Sequence, residues 1–107
     1  MALRDNFNLS NSRDNSLHTD AQEIFEAGLK AVSPIGCVNR GVSLENSTLR
    51  ISGTTYDLSK ISRIIVIGAG KATPAMALAI ERILDKKITD GLITTKYGHK
   101  MPLAHIE

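Results

Sequence analysis

The sequence predicts an α/β fold in which part of a parallel β-sheet is flanked by helices. Residues 64–67 are four consecutive β-branched residues ending at Gly68, which is typical of a strand buried on both faces of a parallel sheet. After Pro74 in the sequence, apolar residues recur at helical spacing, and residues 92–95 form a second run that favours a β-strand. Together these segments predict a β-α-β unit whose glycine turn lies at the ligand-binding edge of the sheet.

The N-terminal residues 1–16 are rich in Asn, Ser, Asp and Arg. Because their isolated apolar side chains cannot offset the entropy cost of ordering, we expect a mobile polar tail there. One domain is then expected over residues 17–107. Its first helix is predicted from Asp20 to Val32 by a periodic apolar stripe, with Pro34 ending it. The pair Thr19 and Gln22 has the spacing of a capping box.

Three further elements follow from local signals. Residues 48–58 alternate in short β-favouring runs around Gly53, which predicts a peripheral hairpin or pair of edge strands. Thr73 followed by proline suits the N-cap and first position of a helix over residues 74–84. Residues 89–91, Thr-Asp-Gly, are turn-like and lead into the second strand of the unit.

Composition narrows the function classes. Aromatic residues make up 4% of the chain and Trp is absent, so stacking platforms for nucleic acid are not expected. No apolar stretch approaches the ~20 residues that span a bilayer, and no signal-peptide pattern opens the chain. The single Cys37 cannot form an internal disulfide. We therefore expect a cytoplasmic protein that contacts neither membrane nor nucleic acid.

Positive charge is concentrated in the second half of the chain. Residues 1–59 carry five Lys/Arg against seven Asp/Glu, whereas residues 60–107 carry eight against four, for a net charge of +2. This bias suits phosphate or carboxylate ligands, although a solvated surface would explain it equally well.

The glycine turn, Gly68-Ala69-Gly70-Lys71-Ala72, is the first candidate site. Backbone N–H groups and the positive end of the helix dipole converge where a parallel strand leads into a helix, which favours an anion. A tight turn without a ligand would explain the two glycines equally well. For Lys71, the chemical options are neutralising a carboxylate or phosphate, or accepting a proton.

Two well-known phosphate-binding loops do not fit this turn. A dinucleotide fingerprint needs glycine at position 73, where the chain has Thr73, and an acidic residue ending the second strand, where it has Lys96 after Thr95. A P-loop needs glycine at position 65 and a hydroxyl residue directly after the lysine, but the chain has Ile65 and Ala72.

A second polar cluster, Lys96-Tyr97-Gly98-His99-Lys100, follows the second strand and so lies at the same edge of the predicted sheet. Lys96 and His99 are candidate substrate- or phosphate-binding residues, together with Gly68 and Gly70. His99 could titrate near neutral pH or be an ordinary exposed histidine. Neither His18 nor His105 has a partner at metal-ligand spacing, so no metal site is predicted.

Three segments resemble, in order, the opening of type 2 glycerate kinases, whose homologues also carry the label hydroxypyruvate reductase. They are AQEIFEAGLKAVSP, LRISGTTYDLSKISRIIVIGAGKATPAMALAIE and GLITTKYGHKMPL. The resemblance runs from Thr19 to Glu107, and GAGKA together with TKYGH at this spacing is more specific than either motif alone.

The resemblance implies a Rossmann-like N-terminal domain that faces a second domain across a cleft, where ATP with Mg²⁺ phosphorylates the 2-hydroxyl of D-glycerate. The lysine of the family's GKA motif falls on Lys71, which the resemblance puts in the active site. Members of the family continue past the equivalent of Ile106-Glu107 into a Gly-His-Pro stretch, a glycine-rich nucleotide loop and the second domain. We therefore expect a truncated, incomplete domain that is inactive alone and self-associates through its sheet.

The sequence is compatible with two other functions. One is an NAD(P)-dependent hydroxypyruvate reductase, which Thr73 and Lys96 argue against, and the other is a non-catalytic anion-binding remnant. The sequence does not assign the exact hydroxy acid, the oligomeric state, or the individual roles of Lys96, Tyr97 and His99, and it does not tell whether the truncation is natural.

Overall fold

The computed structural model describes residues 12–107, which divide into two compact units at Ala31. The first unit contains α1 (Ser12–Ala31). The predicted start of this helix at Asp20 is therefore eight residues too late, and residues 12–16 of the predicted tail are helical. Residues 1–11 lie outside the described residues. The polar residues that suggested a tail are tolerated in the first turns of a helix, where backbone N–H groups need partners.

The predicted capping box at the start of α1 is wrong. The Thr19 hydroxyl donates to the carbonyl oxygen of Asn15 over 2.9 Å, one turn back within the helix. Gln22 instead donates from its side-chain amide to Glu26, four residues ahead, over 3.2 Å. Both are hydrogen bonds that a side chain makes with a residue four positions away within the helix, and neither caps its N-terminus.

The second unit, residues 32–107, opens with a helix that the sequence analysis did not predict. Pro34 ends α1 as expected, but it also begins α2 (Pro34–Gly41), where it occupies the first turn. Ser33 is the N-cap, and its hydroxyl accepts from the Gly36 amide at 3.4 Å. The Ser33-Pro34 pair could have predicted the start of this helix, because serine is favoured at the N-cap and proline at the first helical position.

An antiparallel sheet follows, with the strand order β1-β2-β3. The hairpin predicted around Gly53 is confirmed as β2 (Thr48–Ile51) and β3 (Thr54–Asp57), and β1 (Val42–Glu45) adds a third strand. Ser52 and Gly53 form the turn with φ angles of 46° and 86°, as a two-residue hairpin loop requires.

The parallel β-α-β unit is confirmed. It consists of β4 (Ile65–Ala69), α3 (Thr73–Leu84) and β5 (Asp90–Thr94). The two strands are parallel, with Ala69 opposite Thr94 at their carboxyl ends. Asp90 and Gly91 belong to β5, so the turn predicted at residues 89–91 is wrong, and a 3₁₀ turn at Asp85–Lys87 supplies part of the connection instead.

Two details at the start and on the faces of this unit also differ from expectation. The N-cap of α3 is Ala72, one residue before the predicted Thr73, and no side chain caps the helix. One face of β4 remains open, with Ile65 and Ile67 53% and 80% exposed, so burial on both faces is wrong. A run of β-branched residues indicates that both faces of a strand prefer burial in a complete sheet. It does not specify whether another element of this chain covers each face.

The core of the second unit forms around α3, which contacts α2, β1, β4 and β5. Residues from both sheets and from the C-terminal segment meet this helix. The buried members of the cluster are Leu49, Ala77, Leu84, Ile88 and Ile106. Because α3 is anchored on several sides, its N-terminus is held firmly at the end of β4. No helix among residues 12–107 combines the length and hydrophobicity needed to cross a bilayer.

Candidate anion-binding site

The glycine turn connects β4 directly to the start of α3. Gly70 has a φ of 123°, a conformation that side-chain-bearing residues rarely adopt. Its amide donates to the Thr94 carbonyl oxygen at 3.0 Å, and its own carbonyl accepts from the Thr73 amide at 3.2 Å. The turn is thereby tied to the last residue of β5, and the two predicted clusters start from one edge of the sheet.

Gly68 has a packing reason to be glycine. A Cβ at this position would lie 2.6 Å from Cγ2 of Thr73, well inside contact distance. The absence of a side chain therefore lets the first residue of α3 sit over the end of β4. The predicted contact of Gly68 with a ligand stays a prediction beside this structural role.

The turn leaves hydrogen-bond donors facing solvent. Within residues 12–107, the amides of Lys71 and Ala72 meet no backbone or side-chain acceptor, and both residues are exposed. They lie immediately before the first turn of α3, where the helix dipole favours negative charge. The exposed ammonium group of Lys71 adds a full positive charge within the same turn.

The segment that follows β5, residues 95–103, is called the basic loop below. Lys96, Tyr97, His99 and Lys100 are all exposed in it, and Tyr97 is 99% exposed. A tight turn at its tip is closed by the His99 amide donating to the Lys96 carbonyl at 3.1 Å. The structure thus brings the candidate cations to the sheet edge that carries Lys71, but gives Lys96 and His99 no fixed side-chain partner among the described residues.

Between the start of α3 and the basic loop lies a cleft of about 230 Å³. The Thr95 hydroxyl is shielded from solvent and has no hydrogen-bond partner among the described residues. The sequence analysis placed Thr95 at the end of the second strand and the start of TKYGH, and Lys100 in the second polar cluster, but it proposed neither as a binding residue. The cleft is lined by Pro74, Ile93, Thr95, Lys100, Met101, Leu103, Ile106 and Glu107.

Sequence reasoning also missed Glu81, which is the buried charged residue of the described core at 7% exposure. Its carboxylate accepts hydrogen bonds from three consecutive backbone amides, at residues 104–106. Burial acts to raise the pKa of Glu81, but the three N–H groups and the neighbouring His105 outweigh it and hold this pKa below its ordinary value of 4.5. The sequence pattern groups Glu81 with the polar residues opposite the apolar stripe of this helix, whereas the structure buries it together with Ala77 and Leu84, four residues before and three residues after it.

No group of three or more His, Cys, Asp or Glu within the described part of the chain is arranged to hold a metal ion. His105 pairs through Nε2 with Asp85 Oδ1 at 3.2 Å. Cys37 is a free, exposed thiol that receives a bond from Arg40 over 3.3 Å.

Comparison with known proteins assigns the family. Residues 20–107 match the protein family described as "Domain of unknown function (DUF4147)". The chain belongs to this family. Among its relatives, a protein named glycerate 2-kinase from Pyrococcus horikoshii is 34% identical over 94 residues, covering 81% of this chain and 20% of the relative. A D-glycerate 2-kinase from Thermotoga maritima is 46% identical over 84 residues, covering 78% of this chain and 17% of the relative.

A solved structure supports the same assignment for this DUF4147 chain. The crystal structure of the PH0495 protein from Pyrococcus horikoshii OT3 aligns with a TM-score of 0.71 and 30% identity, over 85% of this chain and 20% of that one. The α/β fold and the family predicted from the sequence are thereby confirmed. Relatives named hydroxypyruvate reductase also match, over less than half of the chain. The chain spans about a fifth of the length of the kinases that it matches.

Proposed function

We propose that this chain is the N-terminal part of an ATP-dependent kinase that phosphorylates the 2-hydroxyl of D-glycerate to give 2-phosphoglycerate. The observation that carries the proposal is the bond from the Gly70 amide to the Thr94 carbonyl, which ties the Lys71 turn to the end of β5, where the basic loop begins. The names of the related glycerate kinases supply the reaction and the substrate.

The residues of this chain are suited to binding negative charge. The free amides of Lys71 and Ala72 fit phosphate or carboxylate oxygens, and the Lys71 ammonium neutralises charge that accumulates during phosphoryl transfer. Lys96 and His99 extend the same surface. ATP, when bound, supplies the phosphoryl group. The resemblance places most of the Mg²⁺ ligands outside this chain, and we name none within it.

The chain alone is proposed to be inactive. Phosphoryl transfer depends on holding donor, acceptor and metal ion in line, mostly through positioning and electrostatics. The candidate binding side chains Lys71, Lys96 and His99 are all exposed to solvent in the described residues.

A chimera tests the proposal. Residues 20–107 replace the equivalent segment of the Thermotoga maritima D-glycerate 2-kinase, and phosphorus NMR follows the product. We expect ATP-dependent formation of 2-phosphoglycerate by the chimera and none by the isolated chain. If the folded chimera instead reduces hydroxypyruvate with NADPH and makes no phosphoglycerate, the kinase proposal is wrong. A chimera that binds phosphate but catalyses neither reaction identifies an anion-binding remnant.

A further inference from the structure

Glu81 lies in the third turn of α3, away from the Lys71 turn at the start of the same helix. One carboxylate oxygen, Oε2, accepts from the Ala104 amide at 2.9 Å. The other, Oε1, accepts from the amides of His105 and Ile106 at 2.5 and 2.9 Å. These three bonds cross more than twenty residues of sequence, and we call them the Glu81 clamp.

The clamp holds the chain just where the basic loop ends. Ile106 enters the core at 5% exposure, and it occupies the space beside Gly91, where a Cβ would lie 2.8 Å from Ile106 Cγ1. Glu107 then pairs with β5: its amide donates to the Gly91 carbonyl at 3.1 Å, and its carbonyl accepts from Ile93 at 2.8 Å. These two bonds have the pattern of a parallel strand pair.

The basic loop is therefore anchored on both sides. Its first residue follows Thr94, which is bonded to Gly70, and its last residue precedes the Glu81 clamp. Between these anchors the backbone has no regular secondary structure. Because the N-terminus of α3 follows Lys71 and its third turn carries Glu81, this one helix sets the distance between the Lys71 turn and the end of the loop.

A carboxylate suits this position better than its neutral isostere. Three N–H groups require acceptors, and a carboxylate offers two oxygens with several lone pairs. A glutamine side chain would keep one oxygen but would present an N–H₂ donor to one of the three amides. With the oxygen kept at the Oε1 position, the amide that loses its acceptor is that of Ala104, whose bond to Glu81 is partly shielded from solvent. The repulsion between the two donors and the lost bond together cost more than the loss of an ordinary exposed hydrogen bond.

We propose that Glu81 is a positioning residue, which holds the basic loop beside the Lys71 turn so that cations from both act on one anionic substrate. The inference rests on the proposed kinase function for the identity of that substrate. The placement of the loop can be tested without activity, in the full chain.

Nuclear magnetic resonance of the uniformly ¹⁵N-labelled chain tests the placement. In Glu81→Gln we expect amide exchange at residues 104–106 to accelerate by about tenfold or more, and resonances of residues 96–100 to shift with them. Glu45→Gln is the matched control: it makes the same substitution at an exposed strand residue and should leave both regions unchanged. Asp85→Asn removes the negative charge beside His105 but keeps the clamp, so it should shift the His105 resonance without accelerating amide exchange at residues 104–106 or moving residues 96–100.

The wild-type chain provides a second measurement should Glu81→Gln fail to fold. Acidification below pH 4.5 protonates Glu81, and the charged groups that share its surface cleft are Arg82, Asp85 and His105. The resonances of residues 104–106 and 96–100 should move with one common midpoint below 4.5, and this common transition should persist in Asp85→Asn, which excludes Asp85 as its source. If residues 104–106 titrate while residues 96–100 do not move, the clamp is only a local anchor and the proposal is wrong.

The kinase chimera allows the effect of Glu81 on kcat/KM to be measured. Glu81→Gln in the chimera should lower kcat/KM by about tenfold or more, with Glu45→Gln within about twofold of the parent. Unchanged kcat/KM in Glu81→Gln overturns the positioning role. A parent chimera without kinase activity instead refutes the proposed function, and the resonance experiments then decide the placement of the loop alone.

Discussion

Lys71 lies one residue beyond Gly70, whose φ of 123° turns the chain from the end of β4 toward the start of α3. Its side chain is exposed and has no partner among the described residues that would withdraw it from a ligand. The neighbouring amides of Lys71 and Ala72 are also without acceptors in the described part of the chain. A bound anion would therefore meet two backbone donors and one ammonium group from adjacent residues.

Lys71→Met tests this assignment in the kinase chimera. Methionine keeps most of the apolar stem and deletes the charge, so thermal unfolding should be little changed. Removing one preorganised charge from a phosphoryl-transfer site costs on the order of 3 kcal/mol, which corresponds to about a hundredfold in kcat/KM.

The matched control for this substitution is Lys60→Met, at an exposed lysine of the turn that follows β3. Lys100 is unsuitable as a control because it lines the cleft next to the basic loop. Lys60→Met should stay within about twofold of the parent in kcat/KM, as surface substitutions away from a site usually do. Activity of Lys71→Met within about threefold of the parent would remove Lys71 from the site.

At the scale of elements, the junction of β4 and α3 depends on close packing between Gly68 and Thr73. The nearest atom to a Cβ at position 68 is Thr73 Cγ2 at 2.6 Å, whereas Ile93 Cγ2 at 3.6 Å is at ordinary contact distance. The obstacle is thus one methyl group on the first residue of the helix. Its removal should allow position 68 to accept a side chain.

A double-mutant cycle tests the junction. Gly68→Ala should destabilise the chain by about 1–3 kcal/mol, because it overpacks a site whose neighbours are fixed. Thr73→Ser removes Cγ2, so the double variant should recover much of that loss, measured as the free energy of unfolding in urea.

Gly28→Ala serves as the comparison for the cycle. It lies in α1, and a Cβ there meets nothing within 4 Å. We expect a stability equal to the parent or higher by about 0.5–1 kcal/mol, since alanine is the better helix former. Strictly additive effects of Gly68→Ala and Thr73→Ser would show that the junction is not limited by this methyl group.

At the scale of the whole molecule, the two faces of the parallel sheet differ. One face carries Val66 and Ile93, which are partly buried and pack against the core cluster around α3. The other face exposes Ile65, Ile67 and Leu92 at 53%, 80% and 60%. Adjacent apolar side chains exposed on neighbouring strands favour association, as does strand pairing at an open sheet edge.

We predict that the purified chain self-associates through this face in a concentration-dependent manner. Ile67→Thr keeps a β-branched residue in β4 but reduces its apolar surface, so it should lower the apparent mass in size-exclusion chromatography with light scattering. Ile51→Thr makes the same change in the antiparallel sheet and should leave association unaltered. A parent chain that remains monomeric across the concentration range would refute the prediction.

Local sequence determined the elements whose signals lie within a few residues. The β-branched run before Gly68, the apolar stripe behind Pro74 and the hairpin signal at Gly53 were sufficient for β4, α3 and the β2–β3 pair. Parallel strand order then implied that Lys71, Lys96 and His99 share one sheet edge. The family also followed from these motifs, because GAGKA and TKYGH at their spacing lie within the segment that matches DUF4147.

The tertiary structure decided the features that depend on distant contacts. The clamp joins Glu81 to amides at residues 104–106, and Ile106 occupies the space that a side chain at position 91 would need. No local periodicity specifies either of these pairings. Likewise, the open face of β4 is invisible in a sequence that is equally apolar on both sides. Hydrophobic patterning specifies which residues prefer burial, but the partner that buries each one, and the carboxylate that satisfies a distant backbone, are determined only when the chain is folded.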